Sequence, residues 1–237
     1  MTGAKNQDVN TARPQGADYP TGYGERRPWQ ENLHQAFDSM LALGAIIILL
    51  PLMLLIAIAI RLDSPGSPIY AQLRVGRRQP SQDPGRYGGR AFMLYKFRTM
   101  TMDAEHRVDE LRARAPGCTF FKLQEDPRVT RVGHLLRQTS LDELPQLFNV
   151  LIGDMRLVGN RPLPDYEAQS LGDDWQKLRF LAPAGITGLW QVSGRSDLGE
   201  HERMALDSYY SVSRSFWMDM KILLQTLPSV LARQGAK

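Results

Sequence analysis

Met40 to Ile60, MLALGAIIILLPLMLLIAIAI, is a run of 21 residues without a charged, amide or hydroxyl side chain. About 20 helical residues cross the hydrocarbon core of a bilayer. This run therefore limits what the chain can fold into more than any other feature. Pro51 sits in its middle. Proline lacks an N–H, and its ring crowds the carbonyl four residues back, so a helix kinks or breaks there. Two geometries follow. In one, the run spans the bilayer as a proline-containing helix, which membranes tolerate. In the other, it breaks at Pro51 and turns back, leaving both ends on one side. A cleaved secretory signal fits less well, because its apolar stretch is shorter and ends in small residues. Here Arg61 follows the run.

Charge points to one side for the rest of the chain. From Arg61 to Pro162 there are 17 Lys and Arg against 11 Asp and Glu, while the flanking segments are each slightly acidic. Positive charge just beyond a membrane element marks a cytoplasmic face. It also attracts anionic headgroups and polyphosphates. A solvated basic surface gives the same composition. The single cysteine, Cys118, excludes an internal disulfide framework and fits a reducing compartment.

Residues 1–32 are polar and rich in Gly and Pro, and they read as a disordered tail. Residues 33–62 form the membrane helix, and 63–237 form one working domain. That domain opens with a hairpin signature, Pro68 to Val75 and Ala91 to Phe97 around a loop from Gln79 to Gly89. Helical patterns follow: a charged one over Asp103 to Arg114, then Asp126 to Leu136, Leu144 to Leu151, Trp175 to Leu181, Met204 to Tyr210, and Phe216 to Leu231. Trp217 near the start of the last suits either a lipid interface or a core face. The fold class expected is α+β, a compact and mostly helical domain with a small β-hairpin, joined to one N-terminal membrane helix.

The chemistry gathers at Arg137-Gln138-Thr139-Ser140-Leu141-Asp142-Glu143-Leu144-Pro145-Gln146. Ser140 with Glu143 three residues on has the form of a capping box, and acids suit a first helical turn. The same physics keeps a carboxylate ionised as a nucleophile or metal ligand. Lys96 and Arg98, two apart at the end of the second strand, would share one sheet face. Arg137 and Arg161 have the planar fork that matches phosphate oxygens. The four histidines show no metal-ligand spacing.

Five segments in order carry a resemblance: the apolar helix at Pro51; Tyr95-Lys96-Phe97-Arg98-Thr99-Met100; Asp126-Pro127-Arg128 through Asn149; Gly153-Asp154 through Gly159-Asn160-Arg161-Pro162; and Gly185-Ile186-Thr187-Gly188-Leu189-Trp190-Gln191-Val192-Ser193-Gly194-Arg195. Together they resemble the bacterial sugar transferases, the monotopic phosphoglycosyl transferases. The resemblance covers residue 36 to the C-terminus. It implies transfer of sugar-1-phosphate from a UDP-sugar to undecaprenyl phosphate, with UMP released. It implies Asp142 as nucleophile, Glu143 beside it, and Mg2+ held by both. It implies substrate contacts from Lys96, Arg98, Arg137, Arg161, Gln191, Arg195 and Asp207; Asp207, in an Asp-x-Tyr-Tyr pattern, equally suits holding an Arg. It implies a re-entrant helix broken at Pro51, and a catalytic domain on the cytoplasmic face of the bacterial inner membrane, beside other glycan assembly proteins. No nucleic-acid partner is expected. Asn160 departs from the family's proline, and Pro183-Ala184 from its basic residue and proline. A degenerate membrane scaffold and a lipid diphosphate phosphohydrolase are the alternatives.

Overall fold

The structure, a computed structural model, describes residues 28–78, 89–104, 126–172, 174–194 and 198–231. The tail 1–27, most of the expected Asp103–Arg114 helix, the Gln79–Gly89 loop up to residue 88, Cys118 and Arg195 lie outside the described residues.

Helix α1 covers Pro28–Asp63, 36 residues. It begins five residues before the expected boundary, with Pro28 in the first turn, where the missing N–H costs nothing. Helical structure continues through Pro51 without a break, a correction to the expected proline-broken element. Neighbouring side chains hold the helix together there. Ala42, Ile46, Met53, Ile56 and Ile60 are buried, with Leu49 packed between them. Their alternating three- and four-residue spacing makes one seam along the helix. On the other faces Ile47, Ile48, Leu54, Leu55, Ile58 and Leu62 are exposed. A helix apolar all round needs covering all round, and the protein covers only the seam.

Strands β1 (Ile69–Arg78) and β2 (Gly89–Phe97) form the antiparallel hairpin read from the sequence, extended at the loop ends. Short β4 (Leu163–Pro164) adds to the far side of β1, and β3 (Arg156–Val158) pairs in parallel with β5 (Gly185–Thr187). Phe92 and Leu94 pack against the α1 seam together with Leu147 and Val150 of α3 (Gln146–Leu151). The outer edge of β2 is covered by the fully buried Asn149: its amide donates to the Met93 carbonyl and accepts from the Tyr95 N–H. Edge groups that would otherwise be unpaired are thus satisfied.

Both ends of α1 are fastened to this one domain. Near its start, Asp38 accepts a hydrogen bond from buried Arg156, Glu31 pairs with Arg214, and Gln35 and Ser39 donate to the Val150 carbonyl. At its end, Asp63 accepts from the Val132 N–H at the start of α2 (Arg131–Thr139).

Candidate active site

Helix α2 stops at Ser140, whose φ of 56° is the left-handed conformation. It is the only non-glycine residue with positive φ among the described residues. Such a cap ends a helix and redirects the chain, here into a short 3-10 turn, Leu141–Glu143. The expected capping box does not form, because Ser140 makes no side-chain cap. Glu143 turns the other way. Its Oε1 accepts from Lys96 Nζ at 2.7 Å and from Arg161 Nη2 at 3.1 Å.

The two acids of the pair are thereby unlike. The cations at Lys96 and Arg161 outweigh the penalty of burial and hold the Glu143 carboxyl at about 2. Burial pushes the Asp142 carboxyl up, against the pull of Lys96, Arg161 and Arg137. The Asp142 carboxylate accepts no hydrogen bond from the described residues and lies among those three cations. Helix-terminus physics, the reason expected for an ionised pair, applies to neither acid; a 3-10 turn supplies no macrodipole of consequence. Arg137 donates Nε–H to the Thr99 hydroxyl at 2.9 Å, which leaves its terminal nitrogens unbonded to described residues.

Other sequence-predicted residues fall elsewhere. Strand β2 ends at Phe97, and Arg98 does not share the Lys96 face. It is buried and donates to the Ser64 and Pro65 carbonyls just after α1. Asp207, on α4 (Glu200–Ser213), binds Arg179 at 2.7 Å with both side chains almost fully buried. Of the two roles open to it, the structure gives it the arginine-holding one. Arg179 in turn donates to the Arg161 carbonyl at 2.7 Å. The Asn160 side-chain nitrogen lies within hydrogen-bond reach of the Arg179 carbonyl and the Ser211 hydroxyl. The network therefore holds Arg161 from behind. Gln191 donates to the Ile186 carbonyl. The glycines of the Gly185 loop approach backbone closely. A Cβ on Gly185 would lie 2.1 Å from the Gly159 nitrogen, and one on Gly188 would lie 2.2 Å from the Gly159 oxygen.

The sequence reading missed Arg74. It lies on β1 opposite Phe92, on the face that carries Lys96. Its guanidinium donates to Gln72 Oε1 and the Pro162 carbonyl, and it feels the charge of Arg161. Alternation along β1 placed it on that face, but nothing local set it apart from a solvated strand arginine.

The family model for bacterial sugar transferases matches residues 29–233. The chain belongs to the bacterial sugar transferase family. This sugar transferase is 42% identical over 209 residues to the UDP-galactose-lipid carrier transferase of Erwinia amylovora, covering 86% of this chain and 41% of that protein. It is 36% identical to the exopolysaccharide production protein ExoY of Sinorhizobium fredii, over 92% of this chain and 93% of ExoY. It is 39% identical to the UDP-glucose:undecaprenyl-phosphate glucose-1-phosphate transferase of Caulobacter vibrioides, over 78% of this chain and 65% of that protein. The chain thus spans about two fifths of the first of these relatives and nearly all of ExoY.

Proposed function

We propose that this sugar transferase moves sugar-1-phosphate from a UDP-sugar to undecaprenyl phosphate and so begins a lipid-linked exopolysaccharide. The reading rests above all on the split between the two acids. Glu143 is committed to Lys96 and Arg161, while Asp142 is a carboxylate without donors among the described residues, in a cationic surround. In the first step an Asp142 oxygen attacks the sugar-bearing phosphorus. An acyl phosphate bond forms, the bond to the bridging oxygen breaks, and that oxygen leaves on UMP. In the second step a lipid phosphate oxygen attacks the same phosphorus and the Asp142 carboxylate is released. Raised basicity favours Asp142 as the attacking group. Phosphoryl transfer otherwise needs alignment and charge neutralisation, which Arg137, Arg161 and Lys96 offer.

The donor set fits Mg2+. Asp142 has open oxygens, and Glu143 Oε2 is not engaged by described residues. Mg2+ takes one or two carboxylates along with phosphate oxygens, and when bound it would neutralise diphosphate charge. The helix is read as monotopic, lying in the cytoplasmic leaflet of the bacterial inner membrane. Two observations support this: Asp38 and Asp63 bind the same domain, and the uncovered faces of α1 are apolar.

Incubating the detergent-solubilised protein with UDP-sugars, Mg2+ and undecaprenyl phosphate tests the reading. UMP and lipid diphosphate sugar should appear together and cease on chelation. Free sugar phosphate in their place would mark a phosphohydrolase, and no turnover a scaffold.

A further inference from the structure

Gln146 opens α3 three residues after Glu143, and it is 3% exposed. Its side-chain amide makes no hydrogen bond to any described residue. The amide is not sealed from water, so it stands unpaired at little cost and stays available to a ligand. Gln146 lines a small cleft with Arg74, Leu94, Arg161, Pro162 and Gly185. Asp142 does not line it.

Of the two charges in this cleft, Arg161 has Glu143, and Arg74 has no acid among the described residues. Arg74 is held only by neutral acceptors: Gln72 Oε1 at 2.6 Å from Nη2 and at 3.1 Å from Nε, and the Pro162 carbonyl at 3.4 Å. No carboxylate lies within ion-pair distance of it among the described residues, although Glu167 exerts a longer-range pull. Arg161 is close enough to disfavour its charge, and burial does the same. Two arginines side by side in a partly buried cleft, with one carboxylate between them, leave a positive charge that an anion would offset. The register separates this place from the nucleophile. Tyr70 opposes Lys96 while Arg74 opposes Phe92, so the two basic positions on this face lie four residues apart, about 13 Å along the strand.

We propose that Arg74, Gln146 and Arg161 form a second phosphate subsite, which takes the phosphate that Asp142 does not attack. Arg161 is shared: it faces Glu143 on one side and Arg74 on the other. Two sources present the same chemistry, the phosphate departing on UMP and the phosphate of the incoming polyprenyl chain. The proposal rests on the transferase reading above, but it is testable by binding alone.

The experiment titrates the full-length protein in detergent with UMP and, separately, with a short-chain polyprenyl phosphate. The proteins are wild type, Arg74→Met and Gln146→Leu, with thermal unfolding followed in parallel. Losing a charge-assisted contact should weaken the occupant by at least about tenfold in Arg74→Met, and losing the amide by several-fold in Gln146→Leu. Gln146→Leu should unfold close to wild type, because it removes an amide with no hydrogen bond to described residues; a merely structural glutamine would lower it. Weakening of one phosphate alone supports the subsite and names its occupant. Unchanged affinity for both in folded variants overturns it. Equal weakening of both also overturns it, because that marks a diffuse basic field. If wild type binds these phosphates but turns over no UDP-sugar, the transferase reading fails and the subsite stands.

Discussion

Lys96 Nζ lies 2.7 Å from Glu143 Oε1, although 47 positions separate the two residues. The contact joins the hairpin to the turn that carries Asp142. It also couples the site to acid. Glu143 sits at about 2, below its ordinary 4.5. A depressed carboxyl contributes stability that is present above its unfolded value and lost as pH falls through the folded one. The loss should therefore fall between about pH 4.5 and 2. Burial lowers Lys96 despite Glu143, so the pair as a whole contributes less than the glutamate alone implies. A difference on the order of 2 kcal/mol between wild type and Glu143→Gln at pH 6 should shrink toward pH 3. Denaturant melts at the two pH values measure it.

Asp142 predicts the opposite sign. Its carboxyl is raised by burial, so the folded protein favours the protonated form. That advantage is complete below the unfolded value and is lost as pH rises through the folded one. Asp142→Asn should thus unfold no earlier than wild type at pH 7 and match it near pH 3. UMP release should fall by several orders of magnitude, since the covalent route is gone. Turnover within tenfold of wild type would remove Asp142 as the nucleophile.

Much of this architecture was legible in the chain. The hairpin, the Phe216–Leu231 helix and the apolar run follow from period and length. The site was legible only as far as local text reaches. Asp142 and Glu143 stand together in sequence, but their different states depend on Lys96 and Arg161, which arrive from a strand and a loop. Arg98 looked equivalent to Lys96 because it lies two residues on, yet the strand stops between them. The close packing of the Gly185 loop on Gly159 was not legible, because the two meet only through the parallel β3–β5 pairing. Arg74 and Gln146 gave no signal, since lining one cleft with Arg161 is a property of three-dimensional neighbours.

The Asp207–Arg179 pair separates stability from catalysis. Burial raises the Asp207 carboxyl to about 6 even beside Arg179. Asp207→Ala leaves Arg179 buried and alone, which should cost about 3–5 kcal/mol. Replacing both, with Asp207→Leu and Arg179→Met, removes the orphan charge and should recover most of that loss. Activity should not recover, because the Arg161 carbonyl still lacks its Arg179 donor. Thermal melts and steady-state kinetics on the three variants read the two effects apart. Full recovery of turnover in the double variant would show that Arg179 does not position Arg161.

The course of α1 gives the last prediction. At about 1.5 Å per residue its 36 residues reach roughly 54 Å, more than enough to cross a bilayer. Yet its first third is tied to Arg156, Arg214 and the Val150 carbonyl, and its end to Val132. A transverse path would have to draw Asp38 and Asp63 to opposite faces, breaking one set of contacts or pulling charged Arg156 into lipid, which is expensive. Both ends should therefore be cytoplasmic. With Cys118 replaced by Ser, single cysteines at Asn32→Cys and Ser67→Cys should both resist a membrane-impermeant thiol reagent in intact cells, and both react after permeabilisation. Labelling of Asn32→Cys from outside would establish a spanning helix. Arg156→Ala removes the partner of Asp38 and a second partner of Glu31, which keeps Arg214, and should loosen the first third of α1. Faster proteolysis or hydrogen exchange over residues 28–40, with 50–63 unchanged, is the expected signature.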